Sequence, residues 1–149
     1  MDVICYWKNH QADLKAGRIG HFKSTADKVS SFTAGFPDFV WVLKTPPGRT
    51  GEVQLLARLR WADRSTVGLK PEPGQSYLHY DPQDTKSVAF EDTDTDAAIA
   101  ETSSWVARHF PKMVAAKFQG VAGQEELRGA TLNELQRLAG RFATRPFAA

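Results

Sequence analysis

The sharpest change in hydrophobic patterning lies at residues 36–61, FPDFVWVLKTPPGRTGEVQLLARLRW. Residues 38–44 form a nearly unbroken β-branched and aromatic run, as expected of a strand buried on both faces. Residues 51–61 alternate instead. Val53, Leu55, Ala57, Leu59 and Trp61 fall on one face, and Gln54, Leu56, Arg58 and Arg60 on the other. The segment between them, TPPGRT, combines residues that fix φ with one that permits positive φ, so the chain reverses there. A long hairpin with an apolar face and an arginine-bearing face is predicted.

The remaining pattern supplies shorter elements. Residues 2–7, DVICYW, predict an early strand, and residues 11–17 a short helical segment stopped by Gly17 and Gly20. Residues 24–32 predict a helix capped by Ser24 or Thr25, with Ala26, Val29 and Phe32 near helical spacing. Gly68, Pro71, Pro73 and Gly74 mark residues 62–76 as a loop. Two short strands, 77–80 and 87–90, flank a turn signal, DPQD. Thr93 or Thr95 then caps a helix reaching about Phe110, where Pro111 ends it. Its apolar stripe is Ala98, Ile99, Trp105 and Val106. Residues 112–120, KMVAAKFQG, predict a last strand, and TLNE at 131–134 is a capping box opening a helix over 132–142. The sum is one α+β domain spanning 1–149, with five or six short strands and three flanking helices.

Composition narrows the class. The apolar and charged fractions, 42% and 24%, are those of an ordinary globular domain rather than a disordered or fibrous chain. No apolar run approaches the roughly 20 residues that span a bilayer, so no membrane association is expected. The N-terminal MDVICYWKNH lacks the pattern of a secretory signal, and a cytoplasmic location is expected. A lone cysteine, Cys5, has no disulfide partner in the chain and reads as a small buried residue. The net charge is only +2, but its distribution is uneven. Between residues 81 and 101 seven acidic residues face Lys86 alone, while the basic residues lie on either side. Such asymmetry permits a basic face for phosphates.

Catalytic signatures are missing from the sequence. The histidines, at 10, 21, 79 and 109, have no zinc-ligand spacing, so neither a metal nor a cofactor is expected. There is no nucleophile elbow, phosphate-binding P-loop or dinucleotide fingerprint. Aromatics are better placed than titratable groups. Tyr6, Trp7, Trp41, Trp61, Tyr77, Tyr80 and Phe118 fall at or near predicted strand ends. Several of them converging at one end of a small barrel would cage a planar group, with Asn9, His10 and Gln119 as base-edge readers. Arg58, Arg60 and Lys117 are the candidate phosphate binders.

Three pieces, Tyr6-Trp7-Lys8, VWVLK with LLARLRW, and the closing FQG followed by a helix TLNELQRLA, resemble the EVE domain. That family is a branch of the PUA-like superfamily, which also holds the YTH and ASCH domains. The resemblance implies a small twisted barrel of five or six strands with helices packed around it. It also implies a pocket for a modified base in DNA or RNA, and a nuclease as a partner. On this chain Trp7 and Asn9 would stand at the pocket mouth, Trp41 or Trp61 would form a wall, and Phe118 and Gln119 would close it. A methylated or hydroxymethylated base held without catalysis is the expected function. The alternative is an ASCH-like hydrolase of a nucleoside, nucleotide or RNA, for which Lys8, Lys44 and Lys117 are candidate groups. An interaction domain without a small ligand is a third possibility.

Overall fold

The structure, a computed structural model, describes residues 1–70 and 72–148. The chain is α+β, and its strands form one curled mixed sheet, a half-barrel. In chain order the first elements are β1 (Asp2–Tyr6), α1 (His10–Lys15), β2 (His21–Ser24) and α2 (Ala26–Ala34). The hairpin follows as β3 (Phe39–Lys44) and β4 (Gln54–Ala62), then β5 (Ser76–Asp81) and β6 (Val88–Phe90). The last elements are α3 (Asp96–His109), α4 (Pro111–Ala115), a 3-10 turn (Gly120–Gly123), β7 (Gln124–Leu127), α5 (Gly129–Ala139) and β8 (Thr144–Pro146). The strand order is β2-β5-β4-β3-β1-β7; off this path β6 pairs with β4, and β8 pairs with β6. Only β1 and β3 run parallel, joined by the crossover through α1, β2 and α2.

Alternation along the strands divides the core in two. Ile4, Trp41 and Leu43 point to the outer face, where α3, α4 and α5 cover them with Trp105, Met113 and Leu135. Val3, Cys5, Trp7, Val40 and Val42 point into the half-barrel, against Phe22, Leu78 and Tyr80. The prediction that Val53, Leu55, Ala57, Leu59 and Trp61 share one face needs correction. The register with β3 shifts at a bulge in β4: the consecutive residues Val42 and Leu43 face Ala57 and Leu55, so Leu56 is an extra residue. An extra residue inverts the alternation of everything beyond it. Val53 and Leu55 therefore join the helix-covered core, and Ala57, Leu59 and Trp61 join the interior.

Other differences have local causes. Residues 112–120 do not form a strand. Pro111 stops α3 yet sits in the first turn of α4, where its missing N–H is no loss. The strand beside β1 is β7, which starts only at Gln124. The predicted capping box is not used. Helix α5 begins at Gly129, because Thr131 and Glu134 turn instead to His109 and Arg108. Thr25 caps α2 and Thr95 caps α3, each hydroxyl accepting a backbone N–H 3.2 Å away. Ser24 and Thr93 have other partners, Gln124 and Gln54. Strands β2, β7 and β8, unpredicted, bring the sheet to eight strands among the described residues. No regular element occurs between Ala62 and Ser76 among the described residues, and Pro71 of that loop lies outside them. No helix of the described residues is long and apolar enough to cross a membrane.

Candidate functional site

The two ends of the strand order, β2 and β7, come back together without a backbone ladder between them. One side chain joins them. Gln124 accepts from Ser24 Oγ at 2.6 Å and donates through Nε2 to the Lys23 carbonyl at 2.7 Å. Lys28 adds a second tie by donating to the carbonyls of Val121 and Gln124. Beyond these ties the seam is open, and a cleft of about 720 Å³ occupies it. That volume is in the range of small-molecule and nucleotide sites.

Cys5, Trp7 and Phe22 line the cleft from the half-barrel interior. Trp7 is only 3% exposed, and its ring meets Phe22 edge-on at 5.2 Å between centroids. Asp13 fixes the indole by accepting from Nε1 at 2.8 Å, and Arg18 holds the same carboxylate at 3.0 Å. Phe118 also lines the cleft, from the helix-covered core, where it stacks on Tyr6 at 4.7 Å with their planes 17° apart. Lys117 and Phe118 both have positive φ, 55° and 57°, an uncommon conformation for side chains of this size. Gly123 lets the 3-10 turn pack here, because a Cβ would stand 3.0 Å from Tyr6 Cβ and 3.1 Å from the Phe118 carbonyl oxygen. Four cations, Lys8, Arg18, Lys23 and Lys70, line the cleft against two carboxylates, Asp13 and Glu72. With Asp13 engaged, the mouth is net positive.

Of the residues singled out from sequence, the structure brings Trp7, Asn9 and Phe118 to this cleft. Gln119 is exposed beside Phe118 and does not line it. Trp41 lies elsewhere. It is 1% exposed on the outer face, stacked toward Phe90, and donates Nε1 to Asp2 at 2.8 Å. Trp61 donates to Asp63 and sits opposite Tyr80, also away from the cleft. Arg58 and Arg60 stand on the outer face of β4, stacked over Phe39 at 4.6 and 5.6 Å, and Arg60 is held by Asp38. Burial lowers the pKa of Arg58 and leaves its Nε without a partner. Lys117 is exposed at the strained turn and does not line the cleft.

Phe22 and Gln124 were missed in the sequence. The available signal was the four residues HFKS between Gly20 and the capping Thr25, short but alternating. Cys5 is no nucleophile at neutral pH, since burial pushes its thiol up to about 12. Among the described residues no cluster of three His, Cys, Asp or Glu is placed to hold a metal ion. No protein-family model matches the chain, and no curated protein or solved structure matches it.

Proposed function

We propose that the chain is a non-catalytic nucleic-acid-binding module that takes a modified base, such as a methylated or hydroxymethylated one, into the seam cleft. The observation carrying the proposal is the cleft itself, about 720 Å³, roomy enough for a nucleotide and lined by aromatic rings and by more cations than carboxylates. A base entering between Trp7 and Phe118 meets π-faces and edges rather than titratable groups in reactive pairs. Asn9, whose side chain makes no capping bond, is free to read the base edge at the mouth. The EVE-like motifs and the half-barrel support the same PUA-like assignment. A nuclease working alongside is the partner that assignment implies, and the cytoplasm, where a lone thiol stays reduced, is the proposed location.

Magnitudes favour a single-stranded target. Stacking on an aromatic is worth about 1–3 kcal/mol per base, while extracting a base from a duplex costs a few kcal/mol. The two nearly cancel, so an already unpaired base binds with the advantage. Short single- and double-stranded DNA and RNA, each carrying unmodified, methylated or hydroxymethylated bases, test this by tryptophan fluorescence. The expected result is quenching that is strongest for one modified single strand and falls steeply between about 50 and about 200 mM salt. No response from the folded protein to any of them would overturn the proposal.

A further inference from the structure

A second, smaller cavity of about 230 Å³ adjoins the cleft. It lies between the end of β1, the start of α1 and the first residues after β3. Trp7, Lys8 and Asn9 line both cavities, so the two share a wall. The smaller one is chemically one-sided. Its charged lining is Lys8 and Lys44, with no carboxylate among its residues. Neither lysine enters an ion pair among the described residues.

Asn9, His10, Gln11 and Thr45 are its neutral polar lining. His10 meets the Trp7 ring edge-on at 4.8 Å, and its Nδ1 is buried without a hydrogen-bond partner. Thr45 Oγ1 already accepts the Tyr6 hydroxyl at 2.6 Å, which leaves its own proton to donate. Asn9 adds an amide. Two ammonium groups, an imidazole and a hydroxyl around one small cavity, with no acid to balance them, match a tetrahedral oxyanion.

We propose that this cavity binds a phosphate: that of the nucleotide whose base enters the neighbouring cleft. The assignment rests on the proposed base-binding function and moves phosphate recognition away from Arg58 and Arg60, which are engaged on the outer face. Lys8 and Lys44 neutralise the phosphate, Thr45 donates to its oxygens, and His10 supplies a further donor once it is charged. Burial, and after it Lys44, disfavours protonation of His10 in the free protein, while Asp13 favours it; a bound anion offsets the effect of Lys44.

The test uses the whole chain at constant ionic strength, with His10 ring resonances followed by NMR and Trp7 by fluorescence. The ligands are inorganic phosphate, 5-methylcytidine and 5-methylcytidine 5′-monophosphate. Phosphate alone is expected to move the His10 resonances and raise the pH at which they titrate. The monophosphate is expected to bind about 10- to 100-fold more tightly than the nucleoside, the range of one strong charge-assisted contact. The double variant Lys8→Gln/Lys44→Gln closes that gap while nucleoside quenching persists. Should that variant fail to fold, the His10 response of the unaltered protein decides alone. Unmoved His10 resonances at saturating phosphate, or a monophosphate bound no better than the nucleoside, would overturn the phosphate site. A His10 response to phosphate with no response to any base would instead leave the phosphate site standing and sink the base proposal.

Discussion

Two tryptophans contrast the two faces of the sheet. Trp41 and Trp7 are both nearly inaccessible, and each donates its indole N–H to a carboxylate at 2.8 Å, Asp2 and Asp13 respectively. Their surroundings differ. Trp41 lies under α3, α4 and α5 in a core packed from both sides. Trp7 lies at the seam where the half-barrel fails to close, with one wall of its environment missing. Burial alone does not separate a core aromatic from a binding one. What separates them is whether the neighbouring elements finish the enclosure.

The largest expected effect breaks the closed face. Trp41→Ala should cost about 3–5 kcal/mol in urea unfolding, because the sheet on one side and the helices on the other cannot collapse into the space left behind. Trp7→Leu keeps much of the apolar volume and should destabilise the fold less. It should still weaken base binding by about 1–3 kcal/mol, read by titration. Equal stability losses for the two variants, with binding intact in Trp7→Leu, would erase the contrast.

The seam comes next. Gln124→Ala removes the side chain that joins β2 to β7 through both of its amide atoms and leaves the Lys23 carbonyl and Ser24 hydroxyl without that partner. A loss of about 1–3 kcal/mol is expected, with faster amide exchange in β2 than in β3. Uniform exchange across the sheet would show that the seam is not where the half-barrel opens.

The pH sensitivity of the β2–β5 pair is a smaller effect. Burial lowers the pKa of His79 below 6.5, helped by His21 across the strand pair, and its Nδ1 has no partner. A depressed pKa favours the neutral form in the folded state. Its contribution is therefore fully present above pH 6.5 and is lost as pH falls through the lower folded value. His79→Gln should flatten the stability profile in that window, and an unchanged profile would count against it. The smallest effect belongs to the outer face. Arg108 and His109 hold the Glu134 carboxyl below its ordinary 4.5, so its contribution is present above that pH and lost in acid below it. Glu134→Gln should alter only the acid limb of the unfolding curve, and modestly, since the group is exposed to solvent.

How much of this was legible follows from how local each signal is. The hairpin, β1 and α3 have strong periodicity and were read from sequence in type and approximate bounds. The bulge in β4 was not, because its extra residue, Leu56, sits between Leu55 and Ala57 without disturbing the spacing of the apolar residues in the sequence. That single feature decides which face Trp61 joins. Helix α4 was mistaken for a strand because KMVAAKF is apolar enough for either, and the deciding residue, Pro111, was taken only as a stop. Strand β2 is four residues long with one buried aromatic, Phe22, too little pattern to stand alone. The cleft depends on β2 meeting β7 through Gln124, about a hundred residues away in sequence, as the separations of 100 and 101 positions record. Trp7, Asn9 and Phe118 were accessible as residues near element ends. Arg58 and Arg60 were misleading, because alternation exposes them in the pattern whereas Phe39 and Asp38 occupy them in the fold.

The most direct test of the central claim is an NMR titration of the tryptophan indole N–H signals, assigned through Trp→Phe variants, with a single-stranded oligonucleotide carrying 5-methylcytosine. The account predicts that the Trp7 signal moves on binding while those of Trp41 and Trp105 stay fixed. A shift confined to Trp41 or Trp61, or saturating binding that leaves Trp7 unmoved, would contradict it.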